Sequence, residues 1–260
     1  MINGISSWSG RLGNNIQQIC NGILYSEISN CGFISPEHQY IKPIHINCSP
    51  DQSPSFHNMF YYYEGQYKSF DIDLKYLFHN IRRVCLDYIR PNFKFKLYDP
   101  LDEDTIVIHI RSGDIFSQVH LSPHDYCPNP LYYYMQLIDS FEKVIVVTEP
   151  DNYNPIIEHL RNIDKVKIQS LSVEEDFATL MSAKNIASSG TGTFSVAAAL
   201  CSTNIENFYC SNLYMRGHLN PEMLLDHIQV HQMDLKNFLE LGSWTNSNEQ
   251  RQFLLNYKGE

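Results

Sequence analysis

Residues 105–116 read T-I-V-I-H-I-R-S-G-D-I-F, an apolar run that ends abruptly in His109, Arg111, Ser112, Gly113 and Asp114. Ile106, Val107, Ile108 and Ile110 are β-branched, the pattern of a strand buried on both faces of a parallel sheet. In open α/β sheets ligands sit in the crevice beyond the carboxyl ends of the strands, and this end presents an imidazole, a guanidinium and a carboxylate. Arg111 reads as an anion receptor, because its planar fork of donors matches phosphate oxygens and keeps its charge at any working pH. The same residues also read as a buried Arg111–Asp114 ion pair with His109 satisfied in the core.

The chain after Pro100 supports such a sheet. A strand ending at His109 and strands at 143–148, 166–169, 185–188 and 205–209 alternate with helices at 131–141, 155–161, 174–184 and 193–201, as right-handed crossovers in a parallel sheet require. A helix at 249–257 closes the chain, with Phe253, Leu254 and Leu255 as its packing face. Before Pro100 the pattern is more broken. Prolines at 36, 43, 50 and 54 separate short extended pieces, one of them at 44–47, and Tyr61, Tyr62, Tyr63 and Tyr67 crowd together as core filling or a sugar platform. Leu74, Leu77, Ile81, Val84 and Leu86 or Ile89 then share one stripe of a helix that Asp71 or Asp73 can cap. Asp-x-Asp also invites a metal reading, but capping explains the pair without a cation.

Two glycine-rich loops join the strand end as candidate ligand contacts. Residues 10–15, G-R-L-G-N-N, open a helix with Ile16, Ile19, Ile23 and Leu24 at helical spacing, and Arg11 stands beside the amides of its start. An ordinary turn and cap reads the same way. Residues 188–194, S-S-G-T-G-T-F, lie between a strand and a helix, and the loop is not a P-loop because no Gly-Lys-Ser/Thr follows the glycines.

Composition limits the partners. A net charge of -10 over 260 residues argues against a nucleic-acid-binding face, which needs an excess of Lys and Arg. Seven cysteines without C-x-x-C spacing indicate neither a disulfide framework nor a zinc site, so reduced thiols in a cytoplasmic setting are expected. No apolar run approaches the roughly 20 residues that span a bilayer.

G-R-L-G-N at 10–14, H-I-R-S-G-D at 109–114 and S-G-T-G-T-F at 189–194 occur in this order, with E-E-D-F at 174–177 before the last. Together they resemble the motifs of the GDP-fucose-dependent fucosyltransferases with a His-x-Arg-Arg-x-Asp signature, the α1,2-fucosyltransferases nearest among them. The resemblance runs from Gly10 to about Tyr209. It implies an α/β GT-B-like fold of two Rossmann-like lobes, with an acceptor-side lobe at 1–100, the donor nucleotide site on a lobe at 101–242, and a C-terminal helix at 243–260. It also implies an inverting transfer of fucose from GDP-fucose to a glycan hydroxyl, with no metal and no other cofactor.

By position, Arg111 would bind the diphosphate as the catalytic group, with Asp114 beside it, and His109 would contact the nucleotide. Ser189, Gly192, Thr193 and Phe194 would hold phosphate, Asp176 would contact base or ribose, and Arg11, Gly13 and Asn14 would face the cleft from the first lobe. The chain departs from the pattern at Ser112, where the family has its second arginine, and at Asn15, where the α1,2 enzymes usually have Gln. Transfer of another nucleotide sugar, or nucleotide-sugar or glycan binding without turnover, are the alternatives. The acceptor hydroxyl needs a base, and Asp73, Glu64, His120 and His124 are the candidates.

Overall fold

The computed structural model describes residues 1–57, 73–117, 126–151 and 153–259. The tyrosine cluster, Asp71, Glu64, His120 and His124 lie outside these residues. The fold is α/β and holds two sheets.

The larger sheet has six parallel strands: β5 (Thr105–Ile110), β6 (Lys143–Thr148), β7 (Val166–Gln169), β8 (Asn185–Ala187), β9 (Asn207–Ser211) and β10 (Gln229–Met233). Their order across the sheet is β10-β9-β8-β5-β6-β7. The chain therefore winds from β5 to one edge, returns beside β5 at β8 and winds to the other edge. The loops after β5 and β8 diverge, which opens a crevice at the carboxyl ends of these two strands.

All six residues of β5 are buried, as its apolar pattern predicts. Its side chains alternate between two cores. Ile106, Ile108 and Ile110 pack with α3 (Asp114–Ser117), α4 (Leu131–Ser140), α5 (Pro155–Leu160) and α8 (Asn248–Asn256), whereas Val107 packs with α1 (Leu12–Ile28), α6 (Val173–Ser182) and α7 (Phe194–Cys201). α6 starts where Ser172 and Glu175 form a reciprocal capping box, and it stops at Ala183, whose backbone is extended.

The smaller sheet comprises β1 (Ile2–Gly4), β2 (Gly32–Ile34), β3 (His45–Ile46) and β4 (Phe56–His57) in the order β3-β2-β1-β4. β1 runs parallel to β2 and β4, and β3 is antiparallel to β2. α1 follows β1 through the glycine loop, giving this sheet its own strand–loop–helix unit. α2 (Leu74–Val84) begins at Asp73, whose side chain accepts from the Lys75 N–H at 2.9 Å. Leu77, Ile81, Val84 and Ile89 of its stripe are buried, and the turn widens over Cys85–Ile89 before Pro91 ends it. One apolar cluster runs from α1 and α2 to the larger sheet, through Ile16, Ile81, Val196 and Val107.

The sequence reading missed β1 and β10. β1 is three residues long, and β10 is Q-V-H-Q-M, an edge strand without any fully buried residue. The ninth strand runs two residues further than expected, to Ser211. The C-terminal segment packs against the larger sheet's second core through Trp244, Leu254 and Tyr257. Phe253 is 38% exposed and stacks on Phe238 instead of entering the core, which corrects its expected place in the packing face.

Candidate active site

A cavity of about 650 Å³ lies along the carboxyl edge of the larger sheet. Its wall follows the strand order: Tyr214 and Met215 come after β9, Gly190 to Thr193 after β8, Arg111 and Asp114 after β5, Glu149 and Pro150 after β6, and Leu171 and Val173 after β7. Gly10 and Arg11 from the loop after β1, with Gly13 and Asn14 of the first turn of α1, close it from the other side. The carboxyl ends of β1 and β8 thus serve one cavity.

Every donor-site residue carried over from the motifs lines this cavity except Ser189. Ser189 is buried behind the loop, and its hydroxyl has no hydrogen-bond partner among the described residues. Asp73 is also removed from the candidates for a base, because it caps α2 and does not line the cavity.

Two helix starts meet in the cavity wall. α1 begins after Arg11 and α7 after Thr193, and neither N-cap side chain caps its helix. Both ends bring partial positive charge to the same place. They are joined tightly: the Thr193 hydroxyl donates to Asn14 Oδ1 at 2.7 Å. Gly190 adopts φ +87°, and a β-carbon there would come within 2.7 Å of the Cys127 carbonyl oxygen, so a glycine is needed at this turn.

Arg111 is held by the protein itself. Nη2 donates to both oxygens of Asp114 at 3.0 and 3.1 Å, Nη1 contacts the Tyr126 hydroxyl, and the guanidinium lies 4.3 Å from the Tyr126 ring centre. Burial opposes its charge, but Tyr126, Asp114 and Glu149 outweigh burial and push its pKa up. The ion pair anticipated as an alternative therefore exists, at the cavity wall with Asp114 half exposed. Burial likewise opposes charge on Asp114, and Arg111 with Arg11 holds its carboxyl below the usual range.

Arg11 reaches across from the first half of the chain. Its Nη1 donates to Glu149 Oε1 at 2.8 Å and its Nη2 lies 3.5 Å from Asp114 Oδ1. Glu149 Oε2 accepts from the Ser112 N–H at 2.6 Å, and Asp151 accepts from the Gly113 N–H at 2.9 Å. Two guanidiniums and two turn amides thus meet three carboxylates.

Ser112 is fully buried and does not line the cavity. Its hydroxyl donates to Asp151 and accepts from the Asn154 N–H at 3.0 Å, which pins the β5 turn to the start of α5. Asn15 does line the cavity, but its polar atoms are taken up within the protein: Nδ2 donates to the Ser9 carbonyl at 3.0 Å and Oδ1 lies 3.2 Å from His38 Nε2. His38 Nδ1 accepts from the Tyr40 N–H, so Nε2 carries the ring proton and the imidazole is neutral.

His109 is buried, with its ring 5.2 Å from Phe194 and its Nδ1 without a hydrogen-bond partner among the described residues. Burial, then Arg111 and Arg11, lowers its pKa to about 3, so it faces the cavity as a neutral imidazole. Asp176 accepts from Gln169 Nε2 at 3.0 Å and from the Leu171 N–H at 3.2 Å. Burial pushes its carboxyl up against the effect of those two bonds.

Compared with protein-family models and with curated proteins, the chain has no significant match. Among the described residues no group of three His, Cys, Asp or Glu side chains is placed to hold a metal ion, and no helix is long and apolar enough to cross a membrane.

Sequence reasoning missed Glu149, Tyr126 and Asp151. The rule that singles out Arg111 after β5 also points to Glu149 directly after β6. No pattern marked Tyr126, which only the folded chain brings to the Arg111 guanidinium.

Proposed function

We propose that the chain is an inverting, metal-independent glycosyltransferase that moves a sugar from a nucleotide sugar to a glycan hydroxyl, with GDP-fucose as donor. Its organisation would be GT-B-like, with an acceptor-side lobe built on the smaller sheet and the donor site on the larger one. The observation that carries the reading is the convergence of Arg111, Arg11 and two helix starts lacking side-chain caps on one cavity at the sheet's switch point. These groups offer positive charge where a diphosphate departs, and an inverting transfer needs that charge because the leaving group gains it as the sugar becomes oxocarbenium-like. On this reading the diphosphate takes the place of Asp114 and Glu149 on the two guanidiniums. At the β7 end, Leu171 and Val173 with the buried carboxylate of Asp176 suit a nucleobase, which has apolar faces and N–H donors on its edge.

A second reading, nucleotide-sugar binding without turnover, draws on the same carboxylates, since Asp114 and Glu149 already neutralise both arginines. Thermal shift against GDP, UDP, GDP-fucose and other nucleotide sugars separates the candidates, because a ligand of the native state raises the melting temperature by mass action. Stabilisation by GDP and GDP-fucose, followed by transfer to a glycan array, is the expected result. Stabilisation by UDP alone excludes the fucose donor, and donor binding without transfer favours the second reading.

A further inference from the structure

The end of the cavity beyond β9 is built differently from the rest. Tyr214, Met215, His218 and Leu219 line it, on the loop that follows the strand. Two fully buried amides fix this loop. Asn220 Nδ2 donates to the carbonyls of Arg216 and His218 at 3.2 and 3.0 Å, and Gln17 on α1 accepts from the Leu219 N–H at 3.2 Å. Buried amides spent on a loop's backbone rigidify it, which suits a loop that positions a reacting group.

The Tyr214 hydroxyl donates to Glu222 Oε1 at 3.0 Å. Tyr214 lines the cavity and Glu222 does not, and Arg216 Nε lies 3.4 Å from the same Oε1, so the carboxylate is held beside the phenol by both. Asn220 also sets Glu222, accepting from its backbone N–H at 2.9 Å.

We infer that the acceptor glycan, carried by the lobe of the smaller sheet, presents its attacking hydroxyl to Tyr214 at this β9 end, where α1 of that lobe holds the loop, and that Tyr214 relays its proton to Glu222. The inference rests on the glycosyl-transfer reading. With the nucleobase toward β7 and the diphosphate between the arginines and helix starts, the transferred sugar extends toward β9. The acceptor oxygen forms a bond to the anomeric carbon while the bond from that carbon to the diphosphate oxygen breaks. The diphosphate leaves with the electron pair. The acceptor proton moves to the Tyr214 oxygen as the Tyr214 proton moves to Glu222, so the phenol is neutral before and after. Burial first, then Glu222, pushes the Tyr214 pKa up to about 12. That excludes a standing phenolate at neutral pH and fits a relay. Met215 and Leu219 give the same end an apolar wall against which a sugar ring's C–H face can pack.

The test uses the full chain as wild type, Tyr214→Phe and Glu222→Gln, with GDP-fucose as donor and a glycan that the wild type modifies. General-base assistance contributes about 10²-fold or more to turnover. Both variants are expected to lose on the order of 10²-fold in kcat, while the GDP dissociation constant by calorimetry stays within about twofold of wild type. Wild-type kcat in Tyr214→Phe overturns the relay. A parallel fall in GDP affinity overturns the placement, because it puts Tyr214 at the nucleotide end. If Tyr214→Phe fails to fold, Glu222→Gln decides in the same way, since Glu222 lies outside the cavity wall. A wild type that transfers from no nucleotide sugar overturns the functional reading, and this inference with it.

Discussion

Gly13 stands so close to Thr193 that a β-carbon on residue 13 would come within 2.5 Å of the threonine hydroxyl and 2.8 Å of its carbonyl carbon. Residues 180 positions apart in sequence thus set the spacing of the two helix starts at the cavity. Gly13→Ala meets backbone and not only a movable side chain, so α1 must shift. Overpacking of this kind costs about 1–3 kcal/mol. Urea unfolding is expected to show that loss, and calorimetry with GDP is expected to show weaker binding than the stability change alone would give.

His109 makes stability depend on pH. Its folded pKa of about 3 lies below the ordinary value of 6.5, so unfolding at lower pH takes up a proton that the folded ring refuses. Its contribution is fully present above about pH 6.5 and is lost as pH falls toward about 3, by up to about 1.4 kcal/mol per unit. His109→Gln removes this component. Unfolding free energies measured at pH 7.5 and pH 5 should differ less in the variant than in the wild type, while an equal difference in both assigns the pH dependence to other groups.

Much of this was legible beforehand because burial leaves a strong mark on sequence. β6 and β7 have the residue bounds that their apolar runs predict, β5 runs one residue past His109 to Ile110, and Arg111 stands at the carboxyl end where the switch-point rule puts it. Short and exposed strands such as β1 and β10 lack that mark. The arrangement of charges was not legible, because Arg11, Asp114 and Glu149 come from three separate turns that only the folded chain brings together. Nor was the role of Ser112, whose contacts to Asp151 and Asn154 arise from the β6–α5 turn.

Deleting the chain from Ser243 should damage folding more than donor chemistry. Trp244 Nε1 donates to the Ile115 carbonyl at 3.0 Å, Arg251 Nη2 to the Phe116 carbonyl at 2.6 Å, and Leu254 is fully buried. Losing buried large side chains at about 2–5 kcal/mol each exhausts the stability of an ordinary domain. Circular dichroism and melting of the truncated chain check this, and a folded, active truncation would show the segment to be an appendage.

Excess EDTA should leave transfer unchanged, since neutralisation of the leaving group is assigned to Arg111, Arg11 and backbone donors. Loss of activity with chelator and its return with manganese would instead assign that role to a cation.

Arg111→Ala, assayed for melting temperature, GDP affinity and turnover on one preparation, tests the central claim most directly. Asp114 is half exposed and keeps Arg11 at 3.5 Å, so the variant is expected to fold. Loss of a fixed charge aimed at the leaving group should lower turnover by about 10²- to 10³-fold and weaken GDP binding, with Arg111→Lys restoring part of it because a point donor replaces a fork. A folded Arg111→Ala protein with wild-type GDP affinity and turnover, or one that has simply unfolded, would contradict the assignment of this cavity to a nucleotide-sugar diphosphate.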